Sequence, residues 1–211
     1  MPPANLRRRR ALADAAIALL AQEGTHGLTH RAVETLAGVP AGTATNYFRT
    51  REALLVAAAE RVVELHLADM TAVAPVAPGA DGPEGEGEAS RRPRAEPTGV
   101  DDLVEMLAGS LWTAATALRE RYLAAFELQL EARRRPALAA ALAGLENAAL
   151  LSTTELHGEL RTPMSEGAIR TLITLYSGTL FTLVALPAGS LREGAVRTLA
   201  EAMVRGAFAA A

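Results

Sequence analysis

Between residues 26 and 51 the chain concentrates side chains able to meet a polyanion: His26, Thr29, His30 and Arg31, then Thr43, Thr45, Asn46 and Tyr47, then Arg49 and Arg51. Hydroxyl, amide and imidazole groups donate to phosphate oxygens or read base edges, and guanidinium groups supply charge that makes phosphate binding salt dependent. Four further arginines, Arg7 to Arg10, can follow a phosphate backbone or enter a minor groove. The same residues can also form the solvated polar face of a small helical domain, and the pattern alone leaves both open. Other chemistry has less support. There is no GxGxxG, P-loop, GxSxG or HExxH, and the carboxylates stand singly on polar faces, so an enzyme is not expected. His26 and His30 are four residues apart, but Gly27 and Thr29 put a loop and a cap between them, poor geometry for a metal pair. The chain has no cysteine, which excludes disulfides and thiolate sites, and neither metal nor cofactor is expected.

The elements that must position these groups are helices. Apolar residues recur at three- and four-residue spacing with no convincing alternation, which predicts an all-α fold. A first helix is expected over 7–22, with Leu12, Ala16, Leu19 and Leu20 on one side and Gly24 beyond its end. Thr29 caps a second, a third runs over 41–47, and a long fourth runs from a Thr50 cap to about residue 70. Leu28 and Val33 have the spacing of a hydrophobic staple. Ala37-Gly38-Val39-Pro40 joins the second and third helices in the layout of a helix-turn-helix, where Gly38 tolerates positive φ. Residues 74–99 change character, with five Pro, five Gly and five acidic residues, and read as a solvated linker. Helices resume over about 101–117, 119–135, 136–160, 165–186 and 190–208. Asp101 is the expected N-cap of the first, Pro136 suits a first helical position, and Ser190 with Glu193 makes a capping box. The domain plan is a helix-turn-helix unit over 1–50, a connecting helix over 51–70, a flexible linker insertion over 71–100 and a second helical domain over 101–211.

Charge divides along the same plan. Residues 1–51 carry seven arginines against Asp14, Glu23 and Glu34, so a net −3 for the whole chain leaves −7 on the remainder. A basic head on an acidic body directs only the head at polyanions. All 21 basic residues are arginine, as a GC-rich bacterial genome writes them, and no secretory pattern follows the arginine run, so the bacterial cytoplasm is the expected location. Residues 171–191 carry no charge over about the length of a bilayer span. Six Ser or Thr with Gly178, Pro187 and Gly189 dilute that stretch and favour a buried helix.

The run Leu28-Thr29-His30-Arg31-Ala32-Val33, through Ala37-Gly38-Val39-Pro40-Ala41-Gly42-Thr43, to Asn46-Tyr47-Phe48-Arg49-Thr50-Arg51-Glu52-Ala53-Leu54-Leu55 resembles the amino-terminal signature of the tetracycline-repressor (TetR) family. The resemblance covers about 45 residues. It implies a homodimer that binds a palindromic operator in double-stranded DNA and releases it when a small molecule occupies the second domain, most simply a repressor. It also implies DNA contacts from Thr29, from Thr43, Thr45, Asn46 and Tyr47, and from Arg51; His30 and Arg31 join them as candidates. Pro40 stands where the family usually places a capping Ser, and Thr45 where it often places Tyr. The connection after the fourth helix is usually short, so residues 74–99 read as an insertion. Phe126-Glu127-Leu128 with Glu131 to Pro136 is similar to a segment of actinobacterial members.

In the second domain Trp112, Thr116, Tyr122, Phe126, Gln129, His157 and Tyr176 lie on helices that surround the family's ligand pocket, and a mainly apolar effector site is expected among them. Glu131 and Arg135 have the spacing of a solvated ion pair. Leu180, Val184, Val196, Leu199 and Met203 are expected to face a second subunit, since the last two helices carry more apolar surface than one bundle covers. The alternative from another class is a helical interaction or membrane-associated protein whose helix-turn-helix unit does not bind DNA.

Overall fold

The computed structural model describes residues 3–73, 99–159, 164–187 and 189–209. Among them the regular elements are all helices: α1 (Pro3–Gly27), α2 (His30–Leu36), α3 (Thr43–Tyr47), α4 (Arg51–Val73), α5 (Val100–Ala115), α6 (Arg119–Ala132), α7 (Pro136–Glu159), α8 (Glu166–Ala185) and α9 (Glu193–Ala209). The expected linker falls almost wholly outside the described residues; α4 runs three residues into it, to Val73, and α5 begins at Val100.

Several helix starts follow from local chemistry. The backbone N–H groups of Ala32, Ala53 and Ala168 donate to the hydroxyls of Thr29, Thr50 and Ser165 at 3.0–3.1 Å. Others differ from expectation. Asp101 is not the cap of α5: Gly99 holds that position, and its N–H donates to the Asp102 carboxylate at 3.1 Å. The capping box at Ser190 does not form, because its hydroxyl donates to the Pro187 carbonyl at 2.7 Å and α9 starts three residues later. α1 is longer than 7–22, and its helical geometry breaks at Gly24, where φ is +66°.

Two cores result. In the first, Leu12, Leu20, Leu28, Val33, Phe48, Leu54 and Leu55 of the amino-terminal helices pack with Ala124, Ala125 and Leu128 of α6 and Leu138 and Leu142 of α7. The second gathers Leu103, Val104 and Leu111 of α5, Leu172, Leu180, Leu183 and Val184 of α8, and Val196, Met203 and Val204 of α9. α8 is long and apolar enough to cross a membrane by composition, with mean hydropathy 1.4, yet its apolar face supplies this core. Across the first core Arg61 of α4 donates to Asp14 of α1 at 2.7 Å and to Glu64 at 2.9 Å, and Arg9 and Arg10 of α1 pair with Glu60 and Glu64. The bond to Asp14 raises the Arg61 pKa, and the bond from Arg61 lowers that of Glu64.

Candidate nucleic-acid interface

The helix-turn-helix is assembled from α2, a tight turn and α3. Gly38 takes φ +63° after the last turn of α2, and the Val39 N–H returns to the Glu34 carbonyl at 3.0 Å. Pro40 then fixes its own φ and has no N–H to offer, while its carbonyl accepts both the N–H and the hydroxyl of Thr43, at 3.2 and 2.6 Å. Gly42 completes the turn at φ +84°, a left-handed conformation that delays α3 to Thr43 instead of the expected residue 41. A glycine cap has no side chain for the first amides of α3. The Glu34 carboxylate, buried on α2, accepts from the Ala44 N–H at 2.7 Å.

Thr45 and Asn46 stand exposed on α3, with Thr29 and Arg31 exposed on the first turn of α2. Tyr47 is half-buried, and its hydroxyl donates to Asn5 of α1 at 3.0 Å. Phe48 is buried beneath the Arg9 guanidinium, 5.1 Å from the ring centre. Two expected DNA contacts point elsewhere. His30 donates from Nε2 to the Phe48 carbonyl at 2.6 Å, and Arg51 donates from Nε to the Leu28 carbonyl at 3.2 Å and from its terminal nitrogen to the Thr25 carbonyl. Sequence reading missed Glu34 altogether; the signal was a lone carboxylate beside Val33, one helical turn after His30.

The expected ligand residues separate into two groups. Trp112, Tyr122, Phe126 and Tyr176 pack against the second core, with Phe126 edge-on to Phe181 at 5.1 Å and the Tyr176 hydroxyl 2.9 Å from Ser110. Burial pushes the Tyr122 and Tyr176 hydroxyls above their ordinary pKa and the buried His157 below its own. Thr116 and Gln129 are exposed, and the Thr116 hydroxyl donates to the Trp112 carbonyl at 2.6 Å. Two open clefts are formed elsewhere, one between α1 and α2 beside Thr29 and Arg31, the other where Thr25, His26 and Arg51 face Glu131, Arg134 and Arg135. Glu131 is not a solvated partner: it is buried, and it holds both Arg135 at 2.7 Å and Arg134 at 3.1 Å, which depresses its pKa.

The expected subunit-facing residues also divide. Leu180, Val184, Val196 and Met203 are at most 5% exposed and fill the chain's own second core, so they present no surface to a partner. Leu199 is 40% exposed, on the same side of the bundle as solvent. An apolar helix buried on two sides gives no periodicity that says which side meets which neighbour.

Residues 12–58 match the family described as bacterial regulatory proteins of the tetR family, and residues 98–210 match the tetracyclin repressor-like C-terminal domain. The chain belongs to the TetR family. Its helix-turn-helix is the DNA-binding domain of a transcriptional regulator, and its second half is the family's ligand-binding domain. Among solved structures, the multidrug binding protein EbrR complexed with ethidium is 28% identical over 93% of this chain and 98% of its own, with a TM-score of 0.59. A TetR-family member from Streptomyces coelicolor is 26% identical over 93% and 97%, at TM-score 0.64. A regulator from Mesorhizobium loti shares the fold at 17% identity, over 97% and 96%, with a TM-score of 0.68. A comparison with curated proteins returns no match.

Proposed function

We propose that the protein is a homodimeric repressor that reads a palindromic operator with Thr45 and Asn46 of α3, is anchored on phosphates by the groups around them, and lets go when a small molecule enters the second domain. The observation that carries this is the exposed polar face of a recognition-type helix held against α2 in a basic amino-terminal unit. Thr29, Arg31, Arg49 and the exposed Arg7 and Arg8 surround that face and suit phosphate, while Arg9 and Arg10 are already engaged by carboxylates. Tyr47 lies within reach through its tie to Asn5. Two copies are supported by Leu175 and Phe181 on α8 and Leu199 on α9, large apolar side chains left exposed in one chain. The protein acts from the cytoplasm, without a catalytic step.

For the effector, the relative that binds ethidium and proflavin supports a planar aromatic molecule, and Trp112, Tyr122, Phe126 and Tyr176 supply flat surface for one. Such a ligand opens the packed aromatic group, and its preference for the opened arrangement sets how far it weakens DNA binding. A duplex selected by the protein from a random pool, followed by salt and ethidium titrations, tests both halves. Operator affinity should fall steeply with salt, and ethidium should release the duplex while changing the emission of Trp112, the only tryptophan. Failure to select any sequence sinks the DNA half; because ethidium also intercalates in duplex DNA, the pocket is read on the protein without DNA, and Trp112 emission that ethidium leaves unchanged there counts against the site.

A further inference from the structure

α3 has five residues, and so short a helix is not stable by itself, because ordering its backbone gains only one or two internal hydrogen bonds. Its own sequence gives it no cap: Gly42 has no side chain, and Pro40 has neither an N–H nor a side-chain oxygen. Beyond the Thr43 bonds to the Pro40 carbonyl and the tie of Tyr47 to Asn5, two side chains of α2 hold its two ends. Glu34, 6% exposed, accepts the Ala44 N–H at the start of α3 at 2.7 Å, and His30, one turn earlier on α2, donates to the carbonyl of Phe48 at 2.6 Å, at the end of α3. Ala44 and Phe48 are themselves one turn apart. An i,i+4 pair of side chains on one helix therefore meets an i,i+4 pair of backbone groups on the next, in opposite chain directions. The signs also agree, with a carboxylate at the positive end of α3 and a ring N–H at its carbonyl end.

We propose that Glu34 and His30 are the positioning residues of the DNA-reading surface, a two-point clamp that sets the rotation of α3 about its axis and so which side chains reach base edges. The proposal rests on α3 being the recognition helix. Base-edge hydrogen bonds fail when heavy atoms move by several tenths of an ångström, whereas phosphate contacts carry no sequence information and depend mainly on charge. Loss of the clamp should therefore strip specificity and spare non-specific binding.

Glu34→Gln keeps an acceptor oxygen in the same volume, and Glu34→Met fills that volume with none. On a duplex selected by the wild-type protein, Glu34→Gln should stay within about threefold of wild type and Glu34→Met should bind about tenfold or more weakly, with both unchanged on a scrambled duplex of the same length. His30→Phe should match Glu34→Met. Independently of DNA, hydrogen exchange at the Ala44 amide should be slow in the wild type and in Glu34→Gln and fast in Glu34→Met. Wild-type affinity in Glu34→Met overturns the clamp, and so does a fast Ala44 amide in the folded wild-type protein, which needs no variant. A wild type that selects no duplex counts against the DNA reading, and the exchange comparison then decides the clamp alone.

Discussion

Arg51 serves the fold. Its guanidinium donates to the carbonyls of Leu28 and Thr25, tying the start of α4 to the segment ahead of α2, in a cleft it shares with Glu131, Arg134 and Arg135. Arg51→Ala should therefore lower stability by about 1.5–3 kcal/mol, the range for hydrogen bonds to a charged group, and leave the salt dependence of DNA binding unchanged; a slope flatter by about one unit would return Arg51 to the phosphates. Arg51→Lys should lower the melting temperature as well, because an ammonium cannot span both carbonyls. His66 on α4 behaves differently. Its Nε2 is buried with no hydrogen-bond partner, and burial lowers its pKa below 6.5, with Asp69 opposing and Arg121 adding to the shift. The unfolded chain then takes up a proton before the folded one does, so stability is full above 6.5 and declines as pH falls through 6.5 toward the folded value. Chemical denaturation of His66→Leu across that range should show a shallower decline than wild type; an identical slope would assign the acid sensitivity to other groups, such as the buried His157. At this scale the sequence was legible where a side chain serves its own helix, as Thr29, Thr50 and Ser165 do, and illegible where it serves another, as Glu34 and His30 do.

α6 shows what periodicity conveys about an element and what it does not. Its apolar residues marked a helix, and the structure gives it two working faces. Ala124, Ala125 and Leu128 enter the first core, beside α1 and α4, while Tyr122, Leu123 and Phe126 pack on the second. One face thus meets the DNA-binding unit and the other the aromatic group proposed to receive the effector. A helix that bridges two cores transmits displacement because close-packed interiors resist gradual deformation. Leu128 is fully buried, so Leu128→Ala should cost about 2–5 kcal/mol in urea unfolding. If α6 couples the halves, the same variant should also need more ethidium to release DNA, with DNA affinity itself little changed under conditions where the protein remains folded. Equal release midpoints in variant and wild type would leave α6 as packing alone. The bounds of α1 were the least legible, as the helix runs on past the expected end through a break at Gly24, and the starts of α3 and α9 come late because Gly42 and Ser190 spend their conformational and hydrogen-bonding capacity on turns whose geometry local patterns do not specify.

For the whole molecule, composition divides the chain after α4, but packing does not follow that division: α6 and α7 complete the core of the amino-terminal half. Contacts between segments so far apart leave no local pattern. The subunit face is likewise set by contacts that no local pattern records. Leu199 and Phe181 are 40% and 47% exposed, and Leu175 lies 3.8 Å from where a Cβ on Gly206 would stand, which puts α8 and α9 side by side with small residues between large ones. A second copy laid on this surface would cover the exposed part of side chains already more than half buried, each contributing less than the ~1.5–3 kcal/mol of full burial, so a dimer here needs the flanking residues of both helices as well. Arg at Leu199 would place an unpaired charge in that contact at a cost of about 3–5 kcal/mol, while in a single chain it would simply meet water. Leu199→Arg should therefore sediment as a folded monomer with wild-type helical content and weak binding to a palindromic duplex. Leu180→Arg puts the same charge into the chain's own core, where Leu180 is 2% exposed, and should fail to fold at all. The contrast is the measurement: if Leu199→Arg remains a dimer, the α8 and α9 face is not the interface, and the two recognition helices must be spaced on DNA by some other surface.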